Sequence, residues 1–293
     1  MKNPFKGSGV ALVTPFTKDF KIDYEAVKKL VRYQIDNGTD FLVVQGTTGE
    51  SPTLSQEEKM SLLDAVINEN NGELQIVYGV GGNDTISVGE LYKKIPAGVD
   101  GILSVSPYYN KPTQMGIIAH FSYLANCTSL PIILYNVPGR TGSNMTAETI
   151  LELAKIPNVV AVKEASGDLD QIMEIIRLKE DDFSVLSGDD ALTLPIIVCG
   201  GEGVISVVAN AFPFQFSKMI HSVLQNDIAN AKSYHYELLK ITRWFFEQGN
   251  PGGVKAALET IGLMESHMRL PLLPISEELT NRIKIETNRI KTL

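Results

Sequence analysis

The chain has 293 residues, 44% of them hydrophobic and 20% charged, the balance of a soluble globular protein long enough for one large α/β barrel or two smaller domains. Its formal net charge of −8 disfavours nucleic acid and anionic membranes as partners. No apolar run is long enough to span a bilayer, and the amino terminus, MKNPFKGSGVALVTPF, has neither a continuous apolar core nor a small-residue cleavage site, so a cytoplasmic location is expected.

Short β-branched runs recur at intervals of roughly 20 to 35 residues, the scale of βα units. The first is GVALVTP. The stretch DYEAVKKLVRYQIDNG follows with apolar residues at i, i+3 and i+4, and Asn37-Gly38 marks its end. DFLVVQG is the second strand. SQEEKMSLLDAVINEN is the second helix and opens with Ser55 and Glu58 in capping-box spacing. LQIVYGV, DGILSVSP and PIILYNVP are the next three strands. The helix TAETILELAKIP leads to the sixth, NVVAVKEA, and FSVLSGD and GVISVVAN complete eight. Continuously apolar strands indicate a parallel sheet covered on both faces, and eight βα units indicate a (β/α)8 TIM barrel. A doubly wound sheet is the alternative, but it usually has fewer strands and often a glycine-rich first turn, where this chain has TPF. From about Pro213 the chain is helical to its end, more than one barrel-closing helix needs. The expected organisation is a barrel domain over 1–225 and a C-terminal helical extension over 226–293.

The two cysteines, Cys127 and Cys199, suggest no disulfide framework and are expected as reduced core residues. His120, His221, His235 and His267 form no metal-binding spacing, and His120 reads as structural. No phosphate-loop lysine motif occurs, and GVGGN (79–83) lacks the dinucleotide spacing, so neither metal nor cofactor is expected.

One stretch is out of place. In VVAVKEAS (159–166) a buried strand runs straight into Lys163. A buried ammonium costs several kcal/mol unless it is paired or loses its proton. In a barrel, catalytic groups sit where strands end. The other ends carry GTTGES (46–51), SPYYNKP (106–112), YNVPGRTG (135–142), SGDD (187–190) and GVISV (203–207). Each has a plain reading. Thr47 and Thr48 shape a turn, Tyr108 and Tyr109 face an interface, Tyr135 fills the core, and Arg140 is a solvated loop charge. Together, hydroxyls, one arginine and one lysine suit Schiff-base catalysis, in which a neutral amine attacks a ketone. Burial favours the neutral amine, weakly acidic hydroxyls shuttle protons, and an arginine fits a carboxylate.

These motifs, in this order and over nearly the whole chain, resemble the dihydrodipicolinate synthase family of pyruvate-dependent class I aldolases, whose relatives include N-acetylneuraminate lyase. The resemblance implies condensation of pyruvate with L-aspartate 4-semialdehyde to 4-hydroxy-tetrahydrodipicolinate, on the route to lysine and diaminopimelate. It implies a covalent imine on Lys163 and no cofactor. Tyr135 matches the family's proton-relaying tyrosine, and Thr47 and Tyr109 match the rest of its hydroxyl relay. Thr48 matches a pyruvate-carboxylate contact, Arg140 the arginine for the semialdehyde's carboxylate, and Gly188 and Ile205 the lining of the pyruvate pocket. The tyrosine matched by Tyr109 crosses a dimer interface in a homotetramer built as a dimer of dimers.

Many members read NPxPVK where this chain reads NPGGVK (250–255), a segment expected to lie far from the site. Lysine-sensitive members use a histidine in the segment aligned with Gln56 to Lys59 and a glutamate at the position of Ser87. Ser87 is neutral here and Lys59 adds a like charge, although Ser51, Asn83 and Tyr108 still match, so weak inhibition by lysine is expected. A sibling aldolase acting on sialic acid or a 2-keto-3-deoxy sugar acid would share Lys163 and Tyr135, whereas Arg140 and the paired threonines favour a short acidic aldehyde. A phosphate-binding isomerase using CGGEGV (199–204) leaves Lys163 without a role.

Overall fold

The computed structural model describes residues 4–291, so the first three and last two residues of the expected organisation lie outside it. Eight strands follow one another in chain order and close into a barrel. The elements are β1 (Gly7–Ala11), α1 (Tyr24–Asp36), β2 (Phe41–Val44), α2 (Gln56–Asn70), β3 (Gln75–Gly79), α3 (Thr85–Tyr92), β4 (Gly101–Val105), α4 (Gln114–Ala125), β5 (Ile132–Asn136), α5 (Pro138–Thr141), α6 (Ala147–Leu153), β6 (Val159–Glu164), α7 (Leu169–Leu178), β7 (Ser184–Ser187), α8 (Thr193–Val198) and β8 (Gly203–Ser206). Then come α9 (Pro213–Leu224), α10 (Ile228–Glu247), α11 (Gly252–Ile261) and α12 (Glu277–Lys291). This is the expected (β/α)8 barrel, with strands buried along nearly their whole length.

The packing falls into two compact units. One holds Gln75–Ile205, and the other holds Gly7–Leu74 with the chain from Ser206 onward. In the first, β5 and β6 pair in parallel with Tyr135 opposite Lys163 and Asn136 opposite Glu164. Because side chains alternate along a strand, Lys163 and Glu164 face opposite sides of the sheet. In the second, Asp23 caps α1, and Ser55 and Glu58 close the expected capping box on α2.

Two strands are shorter than the sequence suggests. After Ala11 the Val13 amide donates to the Asn210 side chain instead of continuing the ladder. After Ser206 the chain enters a tight 3-10 turn at Val208–Asn210, where the Ala209 amide donates to the Ser206 hydroxyl. The cysteines are a correction. Both are free, but Cys199 is exposed and Cys127 half-buried. Helix α8 is short and ends at Val198, with Cys199 capping it just before Gly200 at φ 112°, which leaves no long buried face to hold the thiol. Among the described residues no helix is long and apolar enough to cross a membrane.

Candidate active site

Lys163 lies one residue from the end of β6 and is only 6% exposed, and its Nζ lies 4.4 Å from the centre of the Tyr135 ring, itself 7% exposed. The strand register explains the meeting, since paired residues on neighbouring strands project to the same face. No carboxylate pairs with Lys163 among the described residues. Room for its stem comes from Gly188. A Cβ there would lie 3.0 Å from Lys163 Cε and 2.8 Å from the Ala165 Cβ, so only glycine fits. The Gly188 amide is held by the Glu164 carbonyl at 2.6 Å. Ile205, on β8, is buried.

The opposite face of β6 is fixed by Glu164. Its carboxylate accepts from the Asn136 amide at 2.6 Å, Gln171 at 3.0 Å, the Ser166 hydroxyl at 2.6 Å and the Ser166 N–H at 3.1 Å. Burial pushes this carboxyl up, and the hydrogen bonds from Ser166, Asn136 and Gln171 work the other way. The clamp ties β5 to β6 and so holds Tyr135 against Lys163.

Arg140 is exposed in the short turn α5, which Pro138 opens and Gly142, at φ 74°, closes. Tyr109 is 88% exposed at φ 72°, so its own chain does not enclose it with Lys163 and Tyr135. His120 is structural, as expected. Its Nδ1 meets the Thr85 hydroxyl at 2.8 Å, and burial pushes its pKa down to about 4. CGGEG lies before β8, at the amino end of the strand, and Glu202 in it pairs with Lys6 at 3.0 Å. A carboxylate at that end does not suit a phosphate loop.

In the other unit, Thr47 and Thr48 sit in a 3-10 turn directly after β2. Thr48 is buried and Thr47 half-buried. Glu50 ends the turn in the left-handed region at φ 53°. Here the sequence reading needs correction, because NPGGVK is not remote from this turn. Asn250 Nδ2 donates to Thr48 Oγ1 at 3.0 Å, and Lys255 Nζ pairs with Glu50 Oε1 at 2.5 Å with both side chains 0% exposed. Lys255 also donates to the His267 carbonyl at 2.8 Å. The Phe16 ring is covered by two cations, with Lys255 Nζ at 4.5 Å and the Arg269 guanidinium at 4.6 Å. Arg269 in turn grips both oxygens of Glu58 and the carbonyls of Phe20 and Thr53. The second glycine of NPGGVK fits close packing. A Cβ at Gly253 would lie 2.5 Å from the Phe245 Cα, so a proline there has no room.

Sequence reasoning missed Glu50, Asn250, Lys255 and Arg269. One signal was present: Lys255 interrupts the apolar run GGVKAAL much as Lys163 interrupts VVAVKEA. Among the described residues no group of three or more His, Cys, Asp or Glu is placed to hold a metal.

Residues 4–289 match the model of the dihydrodipicolinate synthetase family. The chain is 50% identical over 288 residues to 4-hydroxy-tetrahydrodipicolinate synthase of Flavobacterium psychrophilum, covering 98% of each chain. It is 52% identical to the protein of that name from Parabacteroides distasonis, over 92% of this chain and 91% of the other. The crystal structure of dihydrodipicolinate synthase from Thermotoga maritima aligns with a TM-score of 0.96 at 38% identity, covering 99% of this chain and 100% of that one. The chain belongs to the dihydrodipicolinate synthetase family.

Proposed function

We propose that this enzyme is a 4-hydroxy-tetrahydrodipicolinate synthase, condensing pyruvate with L-aspartate 4-semialdehyde through an imine on Lys163. The observation that carries the reading is a buried lysine near a strand end, packed on Tyr135 and, among the described residues, without a carboxylate partner. Such an amine adds to the ketone carbon of pyruvate and expels water. The protonated imine withdraws electrons, so a proton leaves the methyl carbon and an enamine forms, which attacks the aldehyde; the semialdehyde's own amine then displaces Lys163 from the imine carbon and closes the ring. In this reading Tyr135, Thr47 and Tyr109 move protons, Thr48 holds the pyruvate carboxylate, and Gly188 and Ile205 line its pocket. Arg140, exposed on its turn, meets the semialdehyde's carboxylate with two parallel hydrogen bonds. The chemistry calls for no cofactor. Tyr109, exposed on its own chain, enters a partner's site in a homotetramer built as a dimer of dimers, working in the cytoplasm on the lysine and diaminopimelate route. A weak response to free lysine, from a neutral Ser87 and a cationic Lys59, belongs to the same reading and is checked by activity at millimolar lysine.

The deciding experiment compares coupled turnover of pyruvate with aspartate 4-semialdehyde against release of pyruvate from sialic acid. Fast synthase turnover and negligible cleavage are expected. The reverse ranking assigns the chain to a sibling aldolase.

A further inference from the structure

Asn250 and Thr48 lie 202 residues apart in sequence, yet the Asn250 amide donates to the Thr48 hydroxyl oxygen at 3.0 Å in a buried setting. A hydroxyl has one proton and two lone pairs. When its oxygen accepts from Asn250, its proton remains for a different acceptor. The contact is braced a second time. Two residues beyond Thr48, Glu50 pairs with Lys255, five residues beyond Asn250, at 2.5 Å and out of solvent. The backbone of the turn is pinned as well, with the Gly49 carbonyl accepting from the Thr14 hydroxyl at 2.6 Å. A tie between the two segments needs only the ion pair, so the hydrogen bond calls for its own explanation. So does the cost that comes with it, because Asn250 Oδ1 is buried with no hydrogen-bond partner among the described residues.

We infer that Asn250 is a positioning residue for substrate binding: it fixes Thr48 as a hydrogen-bond donor to the carboxylate of the 2-keto acid. The inference rests on the role proposed above for Thr48. Asn250 touches no reacting atom; it determines which way the Thr48 proton points. The braced turn keeps that direction fixed before substrate arrives, which reduces the ordering cost of binding. Substrate affinity for the keto acid therefore depends on Asn250, and the second, aldehyde substrate is indifferent to it.

The test is steady-state kinetics of the full-length enzyme with N250A, N250D, T48V and T48V/N250A. N250A removes the donor and raises the pyruvate KM about 10-fold, the scale of one buried hydrogen bond. N250D offers an acceptor, turns the Thr48 proton inward and adds a like charge near the keto-acid carboxylate, raising that KM about 100-fold. The semialdehyde KM stays within about threefold in both. In T48V, adding N250A changes nothing further, because the hydroxyl it orients is gone. A pyruvate KM unchanged in N250D, or full additivity of N250A with T48V, overturns the inference. Should N250D fail to fold, the cycle through N250A and T48V decides. Borohydride trapping of pyruvate separates this inference from the reading beneath it. No adduct on Lys163 of the unaltered enzyme defeats the imine reading itself. An adduct together with additive kinetics defeats only the role of Asn250.

Discussion

Two lysines among the described residues are buried, and their surroundings are opposites. Lys255 is fully enclosed against the Glu50 carboxylate, the His267 carbonyl and the face of Phe16. Burial pushes its pKa down to about 8 while Glu50 pulls it up, so at neutral pH it remains an ammonium inside an ion pair. Lys163 is nearly as enclosed but rests on the Tyr135 ring, with no carboxylate pairing with it among the described residues. Burial alone does not make a nucleophile. A carboxylate partner holds the proton on the amine and occupies the atom that must attack, whereas an aromatic face leaves the lone pair reachable once the proton departs.

The sharpest way to break this comparison is to ask which lysine reacts. Lys163→Ala should lower turnover by at least about 10³-fold, as expected for a covalent nucleophile, with the fold retained. Borohydride with pyruvate should add mass to the peptide carrying Lys163. Mass on the peptide carrying Lys255 would reverse the assignment.

Stability should show the converse. Lys255→Met leaves Glu50 as an uncompensated buried charge and should cost about 3–5 kcal/mol in chemical denaturation. Adding Glu50→Leu should recover most of that loss, since a well-packed apolar pair often replaces a buried ion pair without penalty. A double variant as unstable as the sum of its parts would show that the pair stabilises beyond its mutual neutralisation.

The arginines sharpen the same contrast, one exposed and one locked. Arg140→Ala should raise the semialdehyde KM by about 10- to 150-fold, equivalent to roughly 1.5–3 kcal/mol, and spare the pyruvate KM. Equal damage to both constants would mean that the arginine shapes the turn instead of meeting substrate.

The smallest effect belongs to the locked arginine. Hydrogen bonding from Arg269 holds the Glu58 carboxyl down at about 2, below its ordinary 4.5. The folded pKa is the lower one, so this stabilisation is present above pH 4.5 and drains away as pH falls toward 2. The pair is partly solvated, which limits it to on the order of 1 kcal/mol. The stability gap between the parent and Glu58→Gln should therefore close across that acid window. A gap that does not vary with pH would remove the ion pair from the explanation.

Much of the fold was legible because it is written locally. Eight β-branched runs at regular spacing, the Ser55–Glu58 box and the Asn37-Gly38 stop each depend on residues within a few positions of one another. The meeting of Lys163 and Tyr135 was legible for a related reason: both lie near the ends of barrel strands, and neighbouring strands in register bring their ends together. Glu50 and Lys255 were not legible as a pair because their meeting depends on tertiary packing over 205 positions, with no periodicity to announce it. The exposure of Cys199 escaped for the opposite reason, since an apolar run does not reveal that its helix ends after six residues. The donation from Asn250 to Thr48 follows from the same long-range packing, and no local pattern in NPGGVK signals it.

The missing side chain at Gly253 has a consequence for chimeras within the family. A segment 250–255 taken from a relative with proline at that position would drive its ring into the Phe245 backbone, 2.5 Å from where a Cβ would stand. Exchange of this segment alone with such a relative is blocked. Shuffled libraries should place their crossovers so that α10, which carries Phe245, and α11, which carries Gly253, come from one parent.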